Sequence, residues 1–133
     1  MTVTGIANLA VKVSDMDAAV AFYERAGGIV RDRMTWNGIE RADVHLGPIQ
    51  ITLFDRAIYE DAVALPADCF LHPALFTDDL ERELDGHTVV WGPQVVSGPF
   101  GTRKIAFVDA PGGIRLEFME QLEAPARGVD APA

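Results

Sequence analysis

The sequence predicts an α+β fold built from two βαβββ modules, and two internal matches carry this prediction. Segment 70–80 repeats the pattern of segment 7–16 with an offset of 64 residues. Segment 112–120 repeats the pattern of segment 47–55 with an offset of 65 residues. Because the two offsets were found independently and are nearly equal, they indicate a duplicated module.

The first module is expected over residues 6–55 and contains one helix and four strands. Strict alternation of side chains predicts the first strand, and Asn37-Gly38 is the strongest short signal for a hairpin. Ser14 is expected to cap the helix, whose buried stripe would be Ala18, Ala19, Phe22 and Tyr23. The predicted elements are strand 6–13, helix 15–26, strands 29–36 and 39–46, and strand 49–55.

The second module is expected over residues 70–120 in the same order, with a shorter helix. A connection over residues 56–69 joins the modules, and residues 121–133 are rich in Ala, Pro and charge, which predicts a frayed tail. Together they form a single domain over residues 1–133. The predicted elements are strand 70–77, helix 78–84, strands 89–96 and 103–109, and strand 114–120.

Composition excludes several classes of partner. The 133 residues carry a net charge of −9, which argues against electrostatic binding of nucleic acid or of an anionic membrane. The single cysteine, Cys69, excludes an internal disulfide, and no apolar run reaches the length of a membrane span. Because no signal peptide is visible either, we expect a cytoplasmic protein with a small-molecule ligand.

The duplication predicts which side chains line a pocket. A βαβββ module cannot close its own curved sheet, so we expect two copies to face each other and share a concave pocket. Equivalent positions on the first and fourth strands would line it, with neighbours two residues earlier and later on the same faces. The central four are Asn8, Thr52, His72 and Glu117, flanked by Gln50 and Arg115 at a polar end and by Phe54 and Met119 at an apolar end.

His72 and Glu117 carry the chemistry of this predicted pocket. Imidazole and carboxylate both suit Zn, Fe, Ni or Mn as divalent ions, and Asn8 can add a carbonyl oxygen as a third ligand. Thr52 is a poor ligand while its hydroxyl stays protonated. Two other interpretations stay open: a core histidine that is hydrogen-bonded to Glu117, and a metal-free pair that acts as general acid and base.

Three segments resemble the vicinal oxygen chelate superfamily, which includes glyoxalase I, methylmalonyl-CoA epimerase, extradiol dioxygenases and bleomycin-resistance proteins. They read NLAVKVSDMDAAVAFY, HPALFTDDL and FVDAPGGIRLEFME, within residues 6–120. The resemblance implies the curved mixed sheets of the glyoxalase/bleomycin-resistance fold, metal ligands at the four central positions, and a homodimer. Members with a working metal site usually have histidine at the position of Asn8 and often glutamate at that of Thr52.

The resemblance implies two alternative functions. The first is an enzyme of the lyase or isomerase type, in which Glu117 and His72 are the catalytic residues and a metal ion stabilises an enolate or oxyanion of a small oxygenated substrate. Arg115 or Lys12 would pair with an anionic group of that substrate, which Gln50, Thr52, Phe54 and Met119 also contact.

The second alternative is a metal-free protein that binds a planar or antibiotic-like compound and returns it unchanged. Aromatic and apolar side chains would form its walls, and the candidates are Phe54, Phe70, Phe76 and Met119, with Trp36 or Trp91. His45, Arg41 and Asp43 share one face of their strand, but the sequence pattern does not assign that face to the pocket or to solvent.

Overall fold

The computed structural model describes residues 3–61 and 64–125. Their helices and strands follow the order βαβββ twice, which confirms the two predicted modules. The chain divides into two compact units: the N-terminal unit is Asn8–Leu71, and the C-terminal unit combines Met1–Ala7 with His72–Ala133. Within the described residues, no helix is long and apolar enough to cross a membrane.

Five elements make up the first βαβββ module. From Asn8 onward, β1 belongs to the N-terminal unit, where the strand order is β2-β3-β4-β1. Strand β4 pairs in parallel with β1 and antiparallel with β3, and β3 pairs antiparallel with β2, so this sheet is mixed as predicted. The elements are β1 (Val3–Lys12), α1 (Met16–Arg25), β2 (Ile29–Trp36), β3 (Ile39–Leu46) and β4 (Ile49–Phe54).

Two tight turns set the register of the N-terminal sheet. Asn37 and Gly38 both adopt positive φ, 50° and 73°, which a two-residue hairpin turn of the mirror-image type requires. Gly47 adopts a φ of 60° in the next turn, and Leu46 pairs with Ile49 across it. The second turn therefore determines which residues of β3 and β4 lie opposite each other.

The helix begins one residue later than the sequence predicts. Its N-cap is Asp15, whose carboxylate accepts a hydrogen bond from the backbone N–H of Ala18 at 3.0 Å. The prediction of Ser14 as the cap was wrong because the backbone N–H and the hydroxyl of Ser14 both donate to Asp68, each at 2.8 Å. Asp68 is far away in sequence, so the local pattern did not reveal it.

The buried face of α1 also differs from the predicted stripe. Met16 and Val20 are buried and Tyr23 and Ala19 are partly buried, whereas Phe22 is 59% exposed. Since residues four apart share a helix face, the face that carries Met16 and Val20 turns Phe22 outward. This face packs on a core formed by Ala42, Val44 and Leu53.

The second module repeats the arrangement within the C-terminal unit. The strand order is β5-β8-β7-β6, with β5 and β8 parallel and the other pairs antiparallel. Its helix has four residues against ten in α1, as predicted, and buries Leu80 against Ala106, Val108 and Phe118. The elements are β5 (Cys69–Thr77), α2 (Leu80–Glu83), β6 (Val89–Gly98), β7 (Gly101–Ala110) and β8 (Ile114–Glu123).

Strand β8 is longer than the sequence predicts and includes the first residues of the expected tail. Gln121 pairs with Arg103 in register, and Glu123 pairs with Thr102. The side-chain amide of Gln121 also donates to the backbone carbonyls of Phe100 and Glu123, at 2.8 and 2.6 Å. These bonds extend the strand by three residues; residues 126–133 of the predicted tail lie outside the described part of the chain.

The same register recurs between the first and fourth strands of both modules. Ala10 pairs with Thr52 across β1 and β4, and Ala74 pairs with Glu117 across β5 and β8. Both alanines are fully buried. The sequence offsets of 64 and 65 residues therefore correspond to a duplicated parallel pairing in the structure.

Replacing Gly101 with alanine should destabilise the protein more than the same change at Gly38. Both glycines have positive φ, but an added Cβ at Gly101 would lie 2.3 Å from the carbonyl oxygen of Glu123, whereas at Gly38 it would meet nothing within 4 Å. We expect Gly101→Ala to lower the free energy of unfolding by about 1–3 kcal/mol. Urea unfolding of both variants measures this, and equal losses would contradict the role assigned to the close approach.

Candidate functional site

His72 and Glu117 meet on one face of the C-terminal sheet. His72 lies on β5 and Glu117 on β8, and the distance from His72 Nε2 to Glu117 Oε1 is 3.1 Å. The two residues are only 4% and 6% exposed. The structure therefore brings together the two residues that the sequence predicts as catalytic, and it does so through the parallel pairing of Ala74 with Glu117.

Aromatic side chains form one wall beside this pair. The ring of Phe107 meets the imidazole of His72 edge to face, with 4.9 Å between ring centroids. Trp91 packs against Phe107 at 5.6 Å in the same manner. An apolar wall of this kind limits water around the imidazole, which strengthens its electrostatic interactions.

The equivalent pair in the N-terminal sheet is neutral. Asn8 Nδ2 donates to Thr52 Oγ1 at 2.7 Å, and the two residues are 8% and 0% exposed. Asn8 and Thr52 thus occupy the places that His72 and Glu117 hold in the other module. Neither side chain has a group that ordinarily transfers a proton, so the chemistry of this pair is to bind and orient.

Asp43 organises the polar residues around Thr52. One of its carboxylate oxygens, Oδ1, accepts hydrogen bonds from Arg41 Nη2 at 2.8 Å, from Gln50 Nε2 at 2.9 Å and from Thr52 Oγ1 at 2.9 Å. Arg41 and Asp43 form an ion pair in which both side chains are buried. This buried charge pair is held by several hydrogen bonds, as a buried ion pair requires.

The Asp43 network also fixes the orientation of the Asn8 amide. Since the Thr52 hydroxyl donates to Asp43, it can only accept from Asn8, which directs Nδ2 of the amide at Thr52. The other amide atom, Asn8 Oδ1, is buried and has no hydrogen-bond partner among the described residues. A buried acceptor without a partner is costly, so Asn8 Oδ1 is suited to a donor or a cation from outside the protein.

Sequence reasoning did not assign Arg41 and Asp43 to this face. The signal was present in the two-residue turn at Gly47-Pro48. A turn of that length pairs Leu46 with Ile49 and therefore, three residues further along each strand, Asp43 with Thr52. Strand partners share a face of the sheet, so the position of Thr52 predicts that of Asp43.

The two cationic side chains predicted to bind substrate each have an acidic neighbour. Lys12 is buried, and its Nζ lies 2.9 Å from Glu60 Oε2. Arg115 is half-buried, and its Nε lies 3.5 Å from Asp109 Oδ1. The hydrogen bond from Lys12 is the main cause that holds the pKa of Glu60 below its ordinary value, and the backbone N–H of Ala57 adds to it.

The remaining predicted contact residues differ in their burial and in their neighbours. Phe54 on β4 has the guanidinium of Arg41 over its ring, 5.9 Å from the centroid. Met119 on β8 is buried, and its sulfur accepts a hydrogen bond from Arg103 Nη1 at 3.3 Å. Phe70, by contrast, is more than half exposed.

The spacing of His72 and Glu117 suits two neighbouring ligands of a divalent ion. Metal–ligand bonds of about 2.1 Å at a right angle put two donor atoms about 3 Å apart. The observed separation of 3.1 Å matches this geometry. No group of three or more His, Cys, Asp or Glu side chains that could hold a metal occurs among the described residues. The pair therefore fits part of a coordination shell, and further ligands would have to be amide, hydroxyl or water oxygens.

Solved structures with the same architecture were found. A methylmalonyl-CoA epimerase from Mycobacterium tuberculosis is 23% identical with a TM-score of 0.70, and the match covers 90% of this chain and 89% of that one. A methylmalonyl-CoA epimerase in complex with methylmalonyl-CoA and NH4+ is 20% identical with a TM-score of 0.70, over 93% and 100% of the two chains. This chain has the vicinal oxygen chelate fold. No family model and no curated protein matches it in sequence.

Other matches to the vicinal oxygen chelate fold lie in the same range of similarity. A Streptomyces coelicolor methylmalonyl-CoA epimerase variant in complex with 2-nitronate-propionyl-CoA is 19% identical with a TM-score of 0.70, over 91% of this chain and 99% of that one. The fold that the sequence resemblance implied is confirmed. At these identities the likeness concerns the fold, and the roles of individual residues depend on the geometry of this chain.

The Lys12–Glu60 pair predicts a pH-dependent stability. Because the folded-state pKa of Glu60 is lowered, its stabilising contribution is present above the unfolded pKa of about 4.3 and is lost as the pH falls through the folded value. We expect Glu60→Gln to cost about 1–3 kcal/mol at pH 7, since it leaves the Lys12 ammonium buried without its carboxylate.

The difference between Glu60→Gln and the wild type should shrink as the pH falls from about 5 to about 3, through the ordinary carboxyl pKa of about 4.3 and below it. Chemical denaturation across this range measures it. Glu24→Gln, which neutralises an exposed carboxylate on α1, is the control and should follow the wild type. A constant difference at all pH values would contradict the pairing.

Proposed function

We propose that this chain is an isomerase of the vicinal oxygen chelate type, acting on a small anionic molecule with an acidic C–H next to a carbonyl group. The observation that carries the proposal is the buried, hydrogen-bonded pair His72–Glu117. Supporting it, the structural neighbours include methylmalonyl-CoA epimerases, one of them in complex with methylmalonyl-CoA. A thioester of coenzyme A with an acidic α-carbon is accordingly the substrate class that we propose.

Glu117 would act as the base in this reaction, and His72 would assist it. Glu117 takes the proton from the α-carbon, and the electron pair of the broken C–H bond moves onto the carbonyl oxygen to give an enolate. His72 lies within hydrogen-bond reach of Glu117 and orients its carboxylate when no metal ion is bound between them. Water gives a proton to the opposite face of the α-carbon, which restores the carbonyl and inverts the centre, and Glu117 passes the proton it took to the resulting hydroxide, so atoms and charge balance.

A divalent ion is part of this proposal, with Zn, Fe, Ni and Mn as the candidates. His72 and Glu117 would be two of its ligands, and Asn8, whose oxygen is buried without a hydrogen-bond partner in the described part of the chain, is the third that we propose. When bound, such an ion supplies Lewis-acid stabilisation of the negative charge on the enolate oxygen. The chain itself supplies the proton transfer and the orientation of the substrate.

Arg115 is a stronger candidate than Lys12 for binding the anionic group of the substrate that lies next to the reacting carbon. It lies two residues before Glu117 on the same strand, so both side chains project from the same face of the sheet. The ammonium of Lys12 is held at 2.9 Å by Glu60, so binding a substrate anion there would compete with a closer pair. Gln50, Thr52, Phe54 and Met119 complete the proposed set of substrate contacts.

The alternative function, a metal-free binding protein, is favoured by one observation. The N-terminal pair Asn8–Thr52 holds neither an imidazole nor a carboxylate, as expected for a site that binds without reacting. A cytoplasmic homodimer remains our expectation in either case.

Proton exchange at the α-carbon distinguishes the two functions. We expect the wild type to exchange the α-proton of methylmalonyl-CoA for deuterium, and Glu117→Gln and His72→Gln to slow this by about 10²-fold or more. NMR of the substrate in D₂O measures the exchange. His87→Gln, which replaces an exposed histidine, is the matched control and should keep the wild-type rate. Tight binding without exchange would contradict the enzyme proposal and favour the binding protein.

Metal binding has a readout that is independent of activity. A divalent ion that binds the folded state at 100 times its Kd should raise the free energy of unfolding by about 2.7 kcal/mol. We expect thermal-shift titrations with Zn, Mn, Ni and Fe to show such a rise in the wild type, its loss in His72→Gln, and a reduced rise in Asn8→Ala. A shift that His72→Gln leaves intact would exclude the proposed ligand set.

A further inference from the structure

The hydroxyl group of Thr52 uses its full hydrogen-bonding capacity. Its oxygen accepts from Asn8 Nδ2 at 2.7 Å and from Gln50 Nε2 at 3.2 Å, and its hydrogen is donated to Asp43 Oδ1 at 2.9 Å. A hydroxyl has one hydrogen and two lone pairs, so these three bonds fill it. Because Thr52 is fully buried, the three bonds are also shielded from solvent.

Asp43 sets the direction in which the Thr52 hydroxyl points. Its Oδ1 accepts from the guanidinium of Arg41 at 2.8 Å within a buried ion pair. A carboxylate paired in this way can only accept, so its bond to Thr52 must use the hydroxyl hydrogen. The hydroxyl then offers only lone pairs to Asn8, and the amide of Asn8 must turn its NH₂ group towards Thr52.

The reversed orientation of the Asn8 amide would place two acceptors against each other. Asn8 Oδ1 would then face Thr52 Oγ1 with no hydrogen between them, and a buried polar contact of this kind is costly. In the observed orientation, Asn8 Oδ1 is a buried acceptor without a hydrogen-bond partner within residues 3–61 and 64–125. The bonds that begin at Asp43 therefore present an oxygen, and not an N–H group, to whatever binds at Asn8.

Three neighbouring strands of the N-terminal sheet carry these bonds. Asp43 on β3 pairs in register with Thr52 on β4, and Thr52 pairs with Ala10 on β1. Asn8 lies two residues before Ala10 and on the same face of β1. Because these positions follow from the sheet register, the polar side chains have the rigid support that a binding site on strands provides.

We infer, on the basis of the proposed function, that Asp43 is a positioning residue for the divalent ion. It acts through the Thr52 hydroxyl and holds Asn8 with its oxygen available as a ligand. Either end of a side-chain amide can face a ligand, but only the oxygen binds a cation. The bonds Asp43–Thr52–Asn8 therefore select a cation at Asn8 over the anionic group of the substrate, which an NH₂ group would bind instead.

Titration with zinc alone, followed by isothermal titration calorimetry, tests this inference. We expect Thr52→Val to weaken zinc binding about 10-fold or more, because residues that orient a ligand change metal affinity by about 10–100-fold. Thr52→Ser keeps the hydroxyl and should restore most of the affinity. Unchanged affinity in Thr52→Val, or an equal loss in Thr52→Ser, would overturn the inference.

Asp43→Asn should weaken zinc binding as well. An amide at this position can donate to Thr52, which frees the hydroxyl hydrogen for Asn8 Oδ1 and reverses the Asn8 amide. The change also breaks a buried ion pair, so thermal melts accompany it, and Arg41→Gln/Asp43→Asn, which removes both charges, takes its place if it is unfolded. Wild-type zinc affinity in the folded variant would contradict the role of Asp43.

Two controls separate positioning from a general loss of packing. Thr77→Val makes the same chemical change at another buried threonine, whose hydroxyl accepts from the backbone N–H of Asp79, and it should bind zinc like the wild type. In an Asn8→Ala background, Thr52→Val should cause no further loss of zinc affinity, because Thr52 acts through Asn8. Equal weakening with and without the Asn8 amide would show that Thr52 acts by another route.

NMR of the metal-free protein reports the orientation of Asn8 without reference to zinc. We expect nuclear Overhauser effects between the NH₂ protons of Asn8 and the side chain of Thr52 in the wild type and in Thr52→Ser. They should disappear in Asp43→Asn, where the amide turns its oxygen to Thr52. Their persistence in Asp43→Asn would show that Asp43 does not set the orientation.

Failure of the positioning role and failure of the proposed function give different results. If the wild type binds zinc and exchanges the α-proton of methylmalonyl-CoA but Thr52→Val binds zinc normally, the isomerase stands and the positioning role falls. If zinc binding depends on Thr52 but no proton exchanges, the positioning role stands and the isomerase falls. If the wild type binds no zinc, the inference falls together with the proposed ion, and proton exchange decides the isomerase separately.

Discussion

The parallel pairing of the first and fourth strands is the constraint on which each module depends. It sets Ala10 opposite Thr52 and Ala74 opposite Glu117, with both alanines buried. Because the side chain of alanine is small, the polar residue two positions earlier on the same strand can reach across to its partner. The hydrogen bonds Asn8–Thr52 and His72–Glu117 both follow from this one register. A slip by one residue would turn each pair to the opposite face.

The two modules use the same backbone positions for different chemistry. In the C-terminal unit the pair is an imidazole and a carboxylate beside the ring of Phe107. In the N-terminal unit it is an amide and a hydroxyl, and the charge lies one strand further away, in the ion pair of Arg41 and Asp43. Duplication allows such divergence because the sheet depends on the register and not on the identity of the polar residues.

The sequence predicted the order of all ten elements and the partner of His72, because a repeat reports equivalent positions directly. It did not predict residues whose environment comes from a distant segment. Ser14 is hydrogen-bonded to Asp68, and Lys12 is ion-paired with Glu60. Both acidic residues lie in the connection between the modules, which has no periodic pattern. Asp43 was assignable in principle, since the turn at Gly47-Pro48 determines its partner.

The hydrogen bonds to the Asp43 carboxylate determine how the polar side chains of the N-terminal unit are held in place. Three donors already converge on its Oδ1, so the polar residues there are held by one another. Sites that rely on a ligand to screen repulsive or unsatisfied groups loosen when that ligand leaves. Here the carbonyl oxygen of Asn8 is a buried acceptor without a hydrogen-bond partner among the described residues. The polar residues around Thr52 are therefore held by bonds within the protein, and a ligand at Asn8 would add one contact to an arrangement that is already formed.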